Sequence, residues 1–166
     1  MFSFREITPN DKQILEDFLY NAIFIPKGAS PFPRDEIYKP EVFIYIDSFG
    51  EKPDDIGVVA EFDGKPAGAA WVRVIPAYGH IDDETPELAI SVLSEYRSQG
   101  VGTKIMTRLF EILRERGYKQ TSLAVQKENP AVSFYQRLGY EIITEAGEEY
   151  IMLKSLAEKE VSGQSA

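Results

Sequence analysis

The sequence predicts one α/β domain built on a mixed sheet, and three observations carry that expectation. Segments that alternate apolar and polar residues are interleaved with segments whose apolar residues recur at helical spacing, so strands and helices must share a core. Asp63-Gly64 joins two β-rich runs, the signature of a tight hairpin. The 166 residues, 43% of them hydrophobic, suffice for one continuous core but not two, and no repeat or low-complexity tract divides them.

The elements follow in order. SFREI, at 3–7, alternates as a first strand. Thr8, with Pro9 after it and Asp11 three residues on, reads as the N-cap of a helix whose Ile14, Leu15, Phe18, Leu19, Ala22 and Ile23 form an apolar stripe. IPKGASPFPRDEIYKP carries four of the ten prolines and reads as a loop. PEVFIYIDSF is expected as a short helix opened by Pro40, although Val42, Phe43, Ile44 and Tyr45 leave a strand open. The hairpin about Asp63-Gly64 comes next, then PELAISVL at 86–93 as a further strand. From Val101, the apolar Ile105, Met106, Leu109, Phe110, Ile112 and Leu113 mark a helix with Arg114 and Arg116 in its last turn and Gly117 as its stop. QTSLAVQ is a strand, NPAVSFYQRLG a helix capped by Asn129 with Pro130 first and Gly139 at its end, and YEIITEAGEEYIMLKSL a closing hairpin about Gly147. The domain is expected to span 1–156, with 157–166 a frayed tail.

Charge and composition narrow the function. A net charge of -9 and a pI near 4.7 argue against a nucleic-acid surface and favour a cationic partner. Zero cysteines exclude a disulfide framework and a thiol nucleophile, and a single histidine leaves no basis for a histidine-rich metal site. The start shows no signal-peptide pattern and no apolar run reaches membrane-spanning length, so no membrane partner and a cytoplasmic location are expected.

Within LSEYRSQGVGTKIM, Gly100 and Gly102 stand at a helix start, where glycine costs backbone entropy. Unpaired N–H groups and the positive end of the helix dipole converge there, and glycines let a phosphate approach closely. The plain alternative is a turn-ending Gly100 and an indifferent Gly102. Neither a Walker loop nor a Gly-x-Gly-x-x-Gly fingerprint is present.

YRSQGVGTKIM resembles the Arg/Gln-x-x-Gly-x-Gly/Ala signature of the GNAT family of N-acetyltransferases, at Arg97, Gly100 and Gly102. LAVQKENPAVSFYQRLGYE resembles the family's second cofactor segment, with Asn129, Tyr135, Gly139 and Tyr140 on the matching positions. The element order also resembles the family topology, implying a mixed, mostly antiparallel sheet with helices on both faces and a splayed parallel strand pair.

The resemblance implies acetyl-coenzyme A as acyl donor, held in a wedge between 87–93 and 120–126. Backbone groups of Ser91, Val92 and Leu93 would pair with pantetheine as an added strand, and the N–H groups of Gln99, Gly100, Val101, Gly102 and Thr103 would cradle pyrophosphate. Arg97 would assist or simply cap the loop, and Asn129 and Tyr135 would complete the cofactor site. The reaction implied is direct attack by a primary amine of a small molecule, peptide or protein N-terminus, with Val92 or Leu93 N–H holding the oxyanion and Tyr135 protonating the thiolate. Tyr135 read without the family is an ordinary core tyrosine, and Phe134 reads as core.

Strand alternation puts Glu87, Ala89 and Ser91 on one face and Leu88, Ile90 and Val92 on the other. Some family members carry a glutamate at the place of Glu87 as general base, directly or through water; a solvated strand-end glutamate is the alternative. His80 is a second candidate base, and its neighbours YGHIDDE read as a loop. The acidic run DDETPE reads as a solvated loop or an entrance for an ammonium-bearing acceptor. Trp71, Arg73, Tyr38 and Tyr78 are further candidates to frame that entrance, Arg73 as a carboxylate binder, and the 26–40 segment reads as a lid or a surface excursion. A homodimer is the family's habit. No metal or redox cofactor is implied. The rival function is a non-catalytic acyl-coenzyme A sensor; a longer acyl group or an alcohol acceptor is a further variant.

Overall fold

The computed structural model describes residues 1–157. Its elements are β1 (Phe2–Glu6), α1 (Lys12–Ala22), α2 (Pro40–Phe43), β2 (Ile56–Phe62), β3 (Lys65–Arg73), β4 (Glu87–Val92), α3 (Val101–Glu115), β5 (Gln120–Gln126), α4 (Ala131–Arg137), β6 (Glu141–Ala146) and β7 (Glu149–Ser155). The seven strands form one sheet in the order β1-β2-β3-β4-β5-β7-β6. All neighbouring pairs are antiparallel except β4–β5. The expected mixed, mostly antiparallel sheet with one parallel pair is therefore present. The expected tail lies outside the described residues apart from Ala157.

Alternation along the central strands sends one set of side chains to each face. Val58, Ala70, Val72 and Leu88 pack with the α3 stripe of Ile105, Met106, Leu109 and Leu113, whereas Val59, Ala69 and Trp71 pack with Leu15, Phe18 and Leu19 of α1. Helices thus cover both faces. The open reading of PEVFIYIDSF as a strand is corrected: Pro40 fits the first helical position, and the N–H groups of Phe43 and Ile44 bond back to Lys39 and Pro40.

Thr8 caps as expected, but a short 3₁₀ turn, Pro9–Asp11, precedes α1. Asp11 closes the capping box on the Thr8 N–H at 2.7 Å and takes both terminal nitrogens of Arg5 at 2.9 Å. The Arg5 hydrogen bonds hold the Asp11 carboxyl below its ordinary pKa. A carboxylate held this way stabilises the fold above its unfolded pKa and loses that contribution as pH falls through the folded value. Asp11→Ala should therefore cost about 1–2 kcal/mol at pH 7, in the range of a lost cap. Urea titrations at pH 7 and in the acid range should show the gap to wild type narrowing below about pH 4; a gap independent of pH would overturn the assignment.

The β4–β5 pair positions everything that follows. Its register is confined to Glu87 opposite Ser122, with the Ser122 N–H bonded to Pro86 O at 3.1 Å. Beyond that point the two strands stay unpaired while β3 continues to pair with β4 to Val92.

Candidate functional site

The register of β4 on β3 decides which peptide groups face the gap. Leu93 N–H donates to Ala67 O at 2.9 Å, and Ser91 stands opposite Ala69, so alternation aims these residues at β3. The peptide groups of Ile90 and Val92 face the other way, toward the opening. The expectation for the backbone groups of Ser91 and Leu93 as pantetheine partners, and for Leu93 as oxyanion donor, is corrected accordingly, and Val92 N–H is left in that direction. Val92 O is occupied by Asn21 Nδ2 at 3.3 Å and Arg97 Nε at 3.0 Å. Arg97 is therefore a fastener of the loop after β4, and an added strand there meets a carbonyl already engaged.

The gap opens into a cleft of about 960 Å³. Ser91, Val92, Arg97, Gly100, Val101, Gly102, Thr103, Asn129 and Tyr135 all line it. Leu93, Gln99 and Glu87 do not; the side-chain Nε2 of Gln99 donates to Glu95 O at 3.2 Å. The opposite wall comes from Asn21, Ile23, Phe24 and Ile25 at the end of α1, which the sequence reading missed. The only signal available was the apolar run continuing past the helix stripe. Phe134, expected in the core, packs partly against it and also lines the cleft.

At the start of α3, Gly100 is the N-cap in a left-handed conformation, φ 77°, with no side chain capping the helix and no acidic residue in its first turn. The first N–H groups of a helix have no intrahelical partner, so those of the first turn here are left at the cleft. The two glycines have separate reasons. Gly100 allows the positive φ, and a side chain there would meet nothing within 4 Å. Gly102 lies against Phe134, whose Cζ would stand 3.3 Å from an added Cβ.

Tyr135 projects from α4 into the same cleft, its ring edge-on to Tyr140 with centroids 5.9 Å apart. Burial pushes its phenol up to about 12, so it carries its proton throughout the neutral range. Asn129 Oδ1 accepts the Ala131 N–H at 2.9 Å, and α4 begins one residue later than expected.

Glu87 belongs to the other face. It is 2% exposed, which overturns the solvated reading. Its Oε2 accepts from the Tyr45 hydroxyl and from Gly79 N–H at 2.9 Å, and its Oε1 is buried without a hydrogen-bond partner. Burial raises the carboxyl above its ordinary pKa. Gly79 is pressed against β5: a Cβ would stand 2.8 Å from Leu123 C and 2.9 Å from Ala124 N, and its carbonyl accepts from Ser122 Oγ at 2.7 Å.

The remaining candidates separate. Arg73 is corrected as a carboxylate binder for an acceptor: its guanidinium is buried on Asp55 at 2.9 and 3.1 Å and on the carbonyls of Ile44 and Asp47. Trp71 is fully buried, its Nε1 donating to Tyr45 O. His80 Nδ1 lies 2.9 Å from Ile75 O, and its Nε2 is 3.7 Å from Asp83. Tyr38 and Tyr78 are exposed, and Asp82 caps Glu84 within the acidic run. The proline-rich segment is pinned by the Tyr20 hydroxyl on Phe32 O, by Arg34 on Asp17 and by the buried Ile37. Among the described residues no acidic, histidine or cysteine cluster is placed to hold a metal, and no helix is long and apolar enough to cross a membrane.

Comparison with known proteins gives a consistent picture. Residues 19–140 match the family described as "Acetyltransferase (GNAT) family". The chain is 32% identical over 139 residues to thialysine N-epsilon-acetyltransferase of Sus scrofa, covering 78% of this chain and 82% of that protein. It is 30% identical to the uncharacterized protein YyaT of Bacillus subtilis, covering 87% and 90% of the two. Among solved structures, the PaiA N-acetyltransferase of Thermoplasma acidophilum in complex with coenzyme A superposes with a TM-score of 0.67 at 18% identity, over 93% of this chain and 99% of that one. YncA of Salmonella typhimurium, with its cofactor acetyl-CoA, gives 0.65 at 16% identity over 97% of each chain.

Proposed function

The chain belongs to the GNAT family of acetyltransferases, and from that membership we propose that it moves the acetyl group of acetyl-coenzyme A to a primary amine of a small molecule, peptide or protein N-terminus, by direct attack in a ternary complex. The observation that carries the reading is the uncapped start of α3, which opens into a cleft running along the unpaired edge of β4 to Tyr135. Pyrophosphate suits the first-turn N–H groups, and the splayed strands suit an extended pantetheine arm. The coenzyme A and acetyl-CoA of the two structural neighbours support that donor. The thialysine enzyme supports an aliphatic amine as acceptor, in keeping with a net charge of -9.

In this reading the neutral amine attacks the thioester carbonyl while Val92 N–H holds the developing oxyanion. Collapse breaks the C–S bond, and Tyr135, neutral at the working pH, gives its proton to sulfur. Glu87, enclosed outside the cleft lining, would take the amine proton through water.

The test is thiol release from acetyl-coenzyme A with and without a panel of polyamines, amino acids, aminoglycosides and short peptides, beside a calorimetric titration of the donor. Amine-dependent release is expected. Tight binding with no release across the panel would overturn the enzyme reading in favour of a sensor of the acyl donor.

A further inference from the structure

The geometry points to Tyr45 as the residue that orients the Glu87 carboxylate and leaves Oε1 as its proton-accepting oxygen. This rests on the reading of Glu87 as general base. Tyr45 follows α2, and its backbone is fixed from two sides: its N–H donates to Val42 O at 3.2 Å, and its carbonyl accepts the Trp71 indole at 2.9 Å. The phenol therefore arrives at Glu87 on a rigid support.

There it donates to Oε2, the oxygen that also receives Gly79 N–H. Two donors on one oxygen and none on the other make the carboxylate asymmetric. A buried polar atom without a partner is costly, so Oε1 is the atom with most to gain from a proton or a donor brought by a substrate. No neighbouring group relieves it. Arg73, directly across on β3, spends its guanidinium on Asp55 and two carbonyls. His80 and Glu149, the other charged or titratable neighbours that influence Glu87, act only at a distance, with opposite signs. Tyr45 itself is held far above the ordinary tyrosine pKa by burial and by Glu87, so it remains a donor. It does not line the cleft, and its role is positioning.

Tyr45→Phe removes one hydroxyl and leaves the ring in place. A hydrogen bond to the ionised carboxylate favours that form, so its loss should move the acid limb of the kcat/KM–pH profile up by about one unit. The rate on the plateau should change by no more than about threefold. Glu87→Gln is the control and should lose that limb, with a rate about tenfold lower at pH 7. An unmoved limb in Tyr45→Phe, with the limb lost in Glu87→Gln, would overturn the role of Tyr45 alone. A limb and rate retained in Glu87→Gln would remove Glu87 from the mechanism and Tyr45 with it. Replacement of Tyr45 by 3-fluorotyrosine, a stronger donor of nearly the same shape, should shift the limb the opposite way; a shift in the same direction as Tyr45→Phe would mark the effect as packing.

Discussion

Gly100→Glu should weaken acetyl-coenzyme A binding by at least about 100-fold. A carboxylate held a few ångströms from a pyrophosphate, in the partly screened setting of a surface cleft, costs about 3 kcal/mol, and that energy corresponds to the stated factor. The position also has a φ of 77°, so any side chain strains the backbone. Gly100→Ala measures that strain alone, about 1–2 kcal/mol, because its Cβ meets no atom within 4 Å. Calorimetry on both variants separates the two effects. Equal affinities for the Glu and Ala variants would sink the placement of phosphate at the start of α3.

Tyr135→Phe should lower kcat by about 100-fold while leaving acetyl-coenzyme A affinity nearly unchanged, the pattern of a group that acts only in the transition state. The ring keeps its contact with Tyr140, so the cleft wall survives the change. With the phenol near 12, the wild-type rate should not fall through loss of this proton anywhere in the neutral range. Single-turnover rates at saturating donor isolate the chemical step, and a variant as fast as wild type there would remove Tyr135 from the mechanism.

Short-range signals made the frame readable. The α3 stripe, the Asp63-Gly64 turn and the two faces of β4 are written in residues within one element or one turn of each other, and each appears where the pattern places it. The site divides along the same line. Gly100, Gly102, Asn129 and Tyr135 belong to local motifs and do meet at one cleft. What stayed hidden depends on distant segments. Whether Leu93 or Val92 faces the gap is fixed by the register on β3, through Ala67. Arg73 is claimed by Asp55, and Glu87 is enclosed by Tyr45 and Gly79, contacts no periodicity announces. The wall at Asn21 to Ile25 exists only because α1 packs across β4.

The bare start of α3 ties occupancy to rigidity. A helix whose N-cap is a glycine, with no side chain bonded to its first turn, forgoes a few tenths of a kcal/mol against a Ser, Thr, Asn or Asp cap. In the proposed mode of binding, a pyrophosphate seated there would serve as the missing cap of that turn. Ligand affinity and conformational order would then rise together, the diphosphate completing the secondary structure that holds it.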